Sequence, residues 1–208
     1  MEDTRLDPIQ FPVDRPFTHP ELTLGDRETL QSILNRLRDL VTAPEGVPEQ
    51  PRPLVLFHRD PDGRKHRVVI CDLPALVSDV KITIVGFMGS RCPDVDPSPL
   101  DAVDDELIAG FPHYPDVLGY CSSQQPGGNW ANLVLLRGPE ALGQWAASPR
   151  HAFAAKAMAP EFYQYIRLHN GWLDGGILSG NSIELHRTKY YDYQGLLPWR
   201  AVRDLPQS

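Results

Sequence analysis

A tyrosine, an arginine and a histidine alternate along one short segment of this chain, as Tyr165, Arg167 and His169. Residues two apart in a β-strand project to the same face, so these three side chains would form one row. In a cavity wall, Arg167 would stabilise an oxyanion and His169 would act as a base near neutral pH. Such a row would bind an anionic or phenolic substrate. On an open sheet it would instead be a solvated face or a dimer contact.

A second candidate is His151, which lies six residues after Trp145 in the helical segment that begins at Pro139. Ser148 and Pro149 start a new helix just before this histidine. An imidazole at this place would serve as a haem ligand or as an acid–base group. The alternative is a surface histidine hydrogen-bonded to a carbonyl. Because no HxxxH or HxH spacing occurs in the chain, a metal site would have to be assembled by the fold from distant residues.

Hydrophobic periodicity predicts the elements that would position these residues. Asp26 has the character of a helix N-cap, and an apolar stripe with helical spacing follows it as far as Val41. A hairpin with the turn sequence DPDG comes next, and His58 and His66 flank that turn as a predicted surface pair. Residues 80–173 then follow the order β-α-β-β-α-β, which is the ferredoxin-like order.

Four segments result from these patterns. An extended arm with the edge strand IQFPV occupies residues 1–25, and a helix with a β-hairpin occupies residues 26–79. The ferredoxin-like domain covers residues 80–193, including a last strand in NSIELHRTKYYDY, and residues 194–208 are predicted to be a tail. The proline-rich stretch APEGVPEQPRP ends the first helix and is predicted to be a linker.

Residues 117–158 carry a resemblance to a known superfamily. A strand with Gly119 and Tyr120 is followed by a hairpin, a strand that ends in a small turn, and a helix with Trp145 shortly before the sequence SPRH. This arrangement resembles the antibiotic-biosynthesis-monooxygenase-like dimeric α/β barrels. The resemblance implies a ferredoxin-like unit whose sheet pairs with a second sheet to close a barrel, in a homodimer. It also implies a small-molecule pocket between the sheet and the helices.

The superfamily includes cofactor-free oxygenases, haem-degrading enzymes, isomerases and binding proteins, and the wider fold includes haem enzymes with a helix-borne histidine ligand. Fold alone therefore does not choose the chemistry. The haem-degrading members place a histidine ten residues after the tryptophan, where this chain has Ala155. The oxygenases place a helical asparagine one turn before the tryptophan, where this chain has Ala141.

Composition excludes several other classes of protein. The chain has 208 residues, a formal net charge of -7 and a sequence pI near 5.4, so it lacks the basic excess of a general nucleic-acid binder. No apolar run approaches the roughly 18 residues of a membrane span, and no apolar leader begins the chain. Three widely spaced cysteines predict free thiols in a reducing cytoplasm.

The sequence thus predicts an α+β protein with a ferredoxin-like β-α-β-β-α-β core that forms a dimeric α/β barrel. Its N-terminal helix and hairpin are either an extension or a degenerate second copy of the same unit, and in the second case the barrel would close within one chain instead of by dimerisation. The favoured function is a small-molecule enzyme of oxygenase type without a cofactor, acting on an apolar or aromatic substrate. Trp145 would shape its pocket, Arg167 would polarise the substrate and His169 would deprotonate it. The alternatives are a haem enzyme with His151 as axial ligand and a non-catalytic ligand-binding or structural barrel.

Overall fold

The computed structural model describes residues 3–43, 53–96 and 98–206. Within these ranges the strands of one sheet are β1 Thr4–Leu6, β2 Leu54–Arg59, β3 Lys65–Ile70, β4 Lys81–Arg91, β5 Val117–Gln124, β6 Trp130–Leu136, β7 Tyr163–Asp174, β8 Glu184–Asp192 and β9 Trp199–Asp204. The helices are α1 Pro20–Thr42, α2 Leu73–Ser78, α3 Ser98–Gly110, α4 Pro139–Ala146, α5 Pro149–Phe153 and α6 Ala159–Phe162. A π-helical turn, Ala154–Met158, joins α5 to α6.

The nine strands lie in the order β1-β9-β8-β7-β4-β6-β5-β3-β2. The pairing is antiparallel throughout except between β1 and β9, which makes the sheet mixed. From β4 to β7 the chain runs β4, α3, β5, β6, α4 to α6, β7, and these four strands are neighbours in the order β7-β4-β6-β5. The predicted α+β class and the β-α-β-β-α-β order are confirmed.

Each face of the sheet has its own hydrophobic core. Helix α1 packs on one face, where Leu30, Leu34 and Leu37 have no exposed surface. Strand β4 passes so close to α1 that a Cβ on Gly86 would overlap the Leu30 side chain, which only glycine avoids. Helices α3 and α4 cover part of the other face, where Trp145 packs in one cluster with residues of the sheet. We call these two surfaces the α1 face and the helix side.

The start of α1 differs from the prediction. The helix begins at Pro20, and the His19 ring accepts a hydrogen bond from the Glu21 amide as its N-cap. Asp26 therefore lies inside the helix, buried against the sheet, because its carboxylate bonds to side chains there and not to helical amides. The segment IQFPV is not a strand, since the strand of the N-terminal arm is Thr4–Leu6, paired with β9.

The predicted C-terminal tail is also wrong, because residues 199–204 form β9 between β8 and β1. Its inward side chains include Arg203, which has no exposed surface. The guanidinium donates hydrogen bonds to the carbonyls of Asp7 at 3.1 Å and Thr18 at 2.7 Å, and also to the Gln10 carbonyl. Because this inward residue is an arginine, the sequence of β9 lacks the alternation of apolar and polar residues that predicts a half-buried strand.

The predicted hairpin is confirmed as β2 and β3, with His58 opposite His66. His66 is not at the surface, however, since it is 4% exposed and its Nε2 lies 2.8 Å from the Asp60 carboxylate. Asp60 also binds Arg36 of α1 at 2.8 and 3.1 Å. These bonds turn His66 inward and attach the hairpin to α1.

The N-terminal strands lie at both edges of the sheet, because β3 and β2 extend it beyond β5 and β1 pairs with β9 at the other edge. Most of the predicted linker lies outside the described residues. Among the helices in the described ranges, none is both long enough and apolar enough to cross a membrane.

Candidate functional site

The sheet separates the predicted site residues into two pairs. Arg167 and His169 point from β7 toward α1, while the alternating residues Ile166 and Leu168 join apolar clusters on the helix side. The predicted row and its packed opposite face are therefore present. Trp145 packs on the helix side and has His151 as its neighbour, so no single site contains all of the predicted residues.

On the α1 face, Asp26 connects Arg167 and His169. Its carboxylate accepts hydrogen bonds from Arg167 Nε at 2.5 Å and Nη2 at 2.7 Å. His169 Nε2 lies 2.9 Å from the same carboxylate, and His169 Nδ1 lies 2.9 Å from the Thr188 hydroxyl. His169 and Thr188 have no exposed surface. Both nitrogens of the predicted base thus have protein partners in this conformation.

The charge state of Asp26 assigns the proton positions in this cluster. Burial alone would raise the pKa of Asp26, but the hydrogen bonds and charges of Arg167 and His169 outweigh it and hold the pKa below its usual value. An ionised carboxylate only accepts, so His169 Nε2 carries a proton. In the neutral ring Nδ1 then accepts from the Thr188 hydroxyl. Asp26 was missed as a partner because its position suggested a helix cap.

His151 lies in the first turn of α5, where its backbone N–H donates to the N-cap Ser148 hydroxyl at 3.2 Å. Its ring centroid is 5.2 Å from that of Trp145. Burial lowers the pKa of His151, although a hydrogen bond to the backbone at Ala146 opposes the shift. The imidazole is therefore neutral at neutral pH. Its Nδ1 is buried and has no hydrogen-bond partner among the described residues.

These surroundings do not fit a haem bound through His151. The ring packs against Trp145, and Nδ1 is enclosed there. Neither of two surface cavities in the described structure is lined by His151. One, of about 200 Å³, lies near Phe111 and Tyr114, and the other, of about 410 Å³, lies at the β2–β3 hairpin. We therefore derive no chemistry through haem.

Aromatic side chains connect Trp145 with the smaller cavity. The Trp145 ring lies 5.2 Å from Phe111 and 5.5 Å from Tyr114, and both of these line the cavity. Cys71 lines it as well, but burial, with the charge of Asp72, raises the pKa of that thiol to about 12. Cys71 is thus a thiol and not a nucleophilic thiolate at neutral pH.

A half-buried row crosses the middle of the sheet on the helix side. Ser122, Asn132, Phe87 and Leu168 are successive register partners on β5, β6, β4 and β7. Phe87, Asn132 and Leu168 are half-buried, although β4 and β6 are central strands. In the next row toward α4, Val85 of β4 and Val134 of β6 are each 6% exposed. Phe87 and Leu168 pack in one cluster with Ala159 and Phe162 of α6 and keep part of their surface exposed. We call this row the helix-side groove and define it by Ser122, Asn132, Phe87 and Leu168.

A charged cluster marks one end of the helix-side groove. Arg67, the register partner of Ser122, binds Asp104 of α3 and lies 3.3 Å from the Ser122 hydroxyl. The Tyr120 hydroxyl donates to Asp104 at 3.0 Å. Burial and the nearby carboxylate raise the pKa of Tyr120 well above its usual value, so the phenol stays protonated. The Asn132 amide makes no side-chain hydrogen bond to the described residues, which leaves it free to bind a ligand.

Sequence reasoning missed this groove. Arg67 and Tyr120 were placed on strands, and Asp104 was assigned to the first turns of a helix, but these elements are distant in the chain. The polar residues Ser122 and Asn132 at core-facing positions were the available signal. Among the described residues, no three His, Cys, Asp or Glu side chains form a group that would hold a metal ion.

Fold and groove together define an α+β protein with a ferredoxin-like unit widened to nine strands. No protein family and no curated protein matches the chain. Among solved structures, the protein SO0527 from Shewanella oneidensis is similar at 11% identity and a TM-score of 0.41, over 48% of this chain and 96% of that one. SnoaB, a cofactor-independent oxygenase from Streptomyces nogalater, is similar at 13% identity and a TM-score of 0.36, over 46% of this chain and 93% of that one.

An aldoxime dehydratase is also similar, at 12% identity and a TM-score of 0.27, over 77% of this chain and 42% of that one. Likenesses at these identities and scores carry no argument about function. The function therefore has to be inferred from the residues of the site.

Proposed function

We propose that this protein is a small-molecule enzyme of oxygenase type and that its helix-side groove binds an apolar or aromatic substrate. The observation that carries the proposal is the half-buried row on the central strands. A sheet covered on both faces buries such positions, as the neighbouring valines are buried at 6% exposure. A partly exposed row with apolar residues and a few convergent polar groups has the character of a small-molecule site.

Each residue of the groove has a role in this proposal. Phe87 and Leu168 contact the apolar body of the substrate, and the Asn132 amide and Ser122 hydroxyl bind its polar groups. Arg67 stabilises a substrate oxyanion, and Asp104 is the candidate base. Trp145 supports the site from behind, because it packs with Phe111 and Tyr120 in one buried cluster.

The reaction class needs no cofactor, because the substrate supplies the electrons. An activated methylene next to a phenol loses a proton, and the carbanion reduces dioxygen. One oxygen atom stays on the substrate as a carbonyl, and the other leaves as water. The protein has to bind the anion and keep bulk water away from it; Arg67 supplies the charge, and the apolar side chains of the groove cover the substrate.

Binding of the neutral fluorescent probe phenylnaphthylamine tests the groove. We expect the Phe87→Ala variant to bind it about tenfold more weakly, because an apolar contact in a pocket contributes about 1–3 kcal/mol. Phe57→Ala is the matched comparison, since Phe57 is 77% exposed on the edge strand β2 and lines the larger cavity, so weaker binding confined to this variant would assign the probe to that cavity and not to the groove. Equal effects of the two substitutions, or no binding by the native protein, would reject the groove as a ligand site.

Dioxygen uptake with a panel of phenolic aromatic compounds tests the reaction. Uptake by the native protein that is lost in Arg67→Gln is the expected result. Probe binding without dioxygen uptake would favour a ligand-binding barrel without catalysis.

A second candidate active site is the predicted acid–base pair of Arg167 and His169, in which Asp26 would orient the histidine. The observation in its favour is the chain of hydrogen bonds from Asp26 through His169 to Thr188. A substrate would have to approach from the Arg167 end, where the side chain is 14% exposed. Dioxygen uptake by an Asp26→Asn variant separates this candidate from the groove, because Asp26 lies on the opposite face of the sheet.

The homodimer, the closed barrel, the degenerate second copy and the cytoplasmic location stay predictions. The three cysteines are free thiols in this structure. Helix α1 covers the sheet face without core helices, so a dimer that closed a barrel over that face would have to displace α1.

A further inference from the structure

Lys189 continues the row of the helix-side groove toward the edge of the sheet. It is the register partner of Leu168 on β7 and of Val202 on β9, so its side chain lies on the helix side. All three residues are half-buried. The lysine therefore stands at the outer end of the groove, between two apolar neighbours.

The other charged residues on this face of β8 and β9 have partners. Arg187 donates to Asp204 at 2.6 Å, and the Arg200 guanidinium lies over the Tyr191 ring at 5.8 Å. Among the described residues, no carboxylate lies within ion-pair distance of the Lys189 ammonium group. The chain has 27 acidic and 20 basic residues, so an excess of carboxylates is available for pairing. A half-buried lysine packs its apolar stem against its neighbours and keeps its ammonium group in water, where that group is available to bind an anion.

We propose that Lys189 determines substrate specificity by binding an anionic group of the substrate; this inference rests on the proposed function of the groove. Asn132 and Lys189 are separated by three strand spacings, or about 14 Å. The substrate class is thus an aromatic anion whose ring system covers Phe87 and Leu168. Its carboxylate, sulfonate or phosphate lies at Lys189, and its reacting end lies near Asn132.

Two fluorescent probes that differ by one sulfonate test the inference. Phenylnaphthylamine is neutral, and anilinonaphthalene sulfonate has the same ring system with one negative charge. We expect Lys189→Met to weaken binding of the sulfonate by about tenfold, as for loss of a hydrogen bond to a charged group. Binding of phenylnaphthylamine is expected to stay unchanged. Lys65→Met is the matched comparison, because Lys65 is exposed on β3 and also unpaired among the described residues; it lines the larger cavity, so a loss confined to this variant would assign the sulfonate to that cavity and overturn the inference.

The outcomes separate this inference from the proposed function. A loss confined to the sulfonate, absent in the control and suppressed by high salt, supports it. Equal weakening of both probes would assign Lys189 a packing role, and no change in either would remove it from the site; both results overturn the inference while the groove stands. Native protein that binds only the neutral probe would overturn the inference in the same way. If neither probe binds, the proposed function fails, and this inference fails with it.

Discussion

At the scale of single residues, Asp26 shows how one carboxylate organises a buried cluster. It lies within α1 and receives Arg167 and His169 from β7, more than 140 positions later in the chain. Its side chain is 9% exposed, so water contributes little to its solvation. The charge of Arg167 therefore stabilises the ionised form, and the cluster is sensitive to the loss of either partner.

We predict that Asp26→Asn lowers the free energy of unfolding at neutral pH by about 3 kcal/mol, because it leaves Arg167 buried without its counter-charge. The folded-state pKa of Asp26 is lowered. Its stabilisation is therefore present above the unfolded pKa and is lost as the pH falls toward the folded pKa. Urea unfolding between pH 7 and pH 3 should thus give a shallower pH dependence for the variant.

Asp39→Asn is the control for this experiment, since Asp39 is exposed on the same helix. Identical pH profiles for native protein and Asp26→Asn would contradict the assignment of an ionised, paired Asp26.

At the scale of elements, β9 and the N-terminal arm depend on each other through Arg203. The guanidinium holds three carbonyls of the arm and bonds to the Tyr190 hydroxyl. Phe17 of the arm stacks on Tyr165 at 4.6 Å and packs with Ala201 of β9. The arm is therefore anchored by polar and aromatic contacts, with only a three-residue strand of its own.

We predict that Arg203→Gln lowers the free energy of unfolding by at least about 2 kcal/mol, because buried carbonyls lose their donors. Amide hydrogen exchange should quicken first in the arm and in β9. Arg200→Gln on the same strand serves as the comparison, since Arg200 is exposed. Equal stabilities of the two variants would show that the arm is held by other contacts.

At the scale of the whole molecule, the sheet is the middle of three layers, with helices on both of its faces. Helix α1 covers one face of the central strands, helices α3, α4 and α6 cover part of the other, and the groove lies where this cover leaves side chains half-buried. In this arrangement α1 supplies the apolar cover of its face of the sheet from within the same chain. Leu34 is a direct probe of that role, because it has no exposed surface.

We predict that Leu34→Asp prevents folding at any protein concentration, because it places a charge in the core beneath α1. Circular dichroism and light scattering distinguish this result from the behaviour of an interface residue. A folded monomer obtained from a native dimer would instead place Leu34 at a subunit contact. Leu24→Asp on the same helix is the control, since Leu24 is 55% exposed.

Local patterns accounted for most elements of this fold. The turn at Pro61 and Gly63, the helix starts at Pro139 and Pro149 and the strands from β4 to β7 depend on nearby residues, and they lie where predicted. The N-terminus of α1 and strand β9 were missed, because Asp26 and Arg203 have polar side chains that distant partners satisfy. A buried polar residue has the same local signature as an exposed one.

The sequence by itself determined the class of the protein, the order of its core elements and the alternation that puts Arg167 and His169 on one face. These depend on backbone geometry and hydrophobic spacing, which act over a few residues. Only the tertiary structure decided that His169 is enclosed by Asp26 and Thr188, and that Trp145 lies across the sheet from it. Only the tertiary structure determined that Asn132 and Phe87, although they belong to central strands, are half-buried. Helix cover and long-range pairing determine these features, because they depend on contacts between residues far apart in the chain.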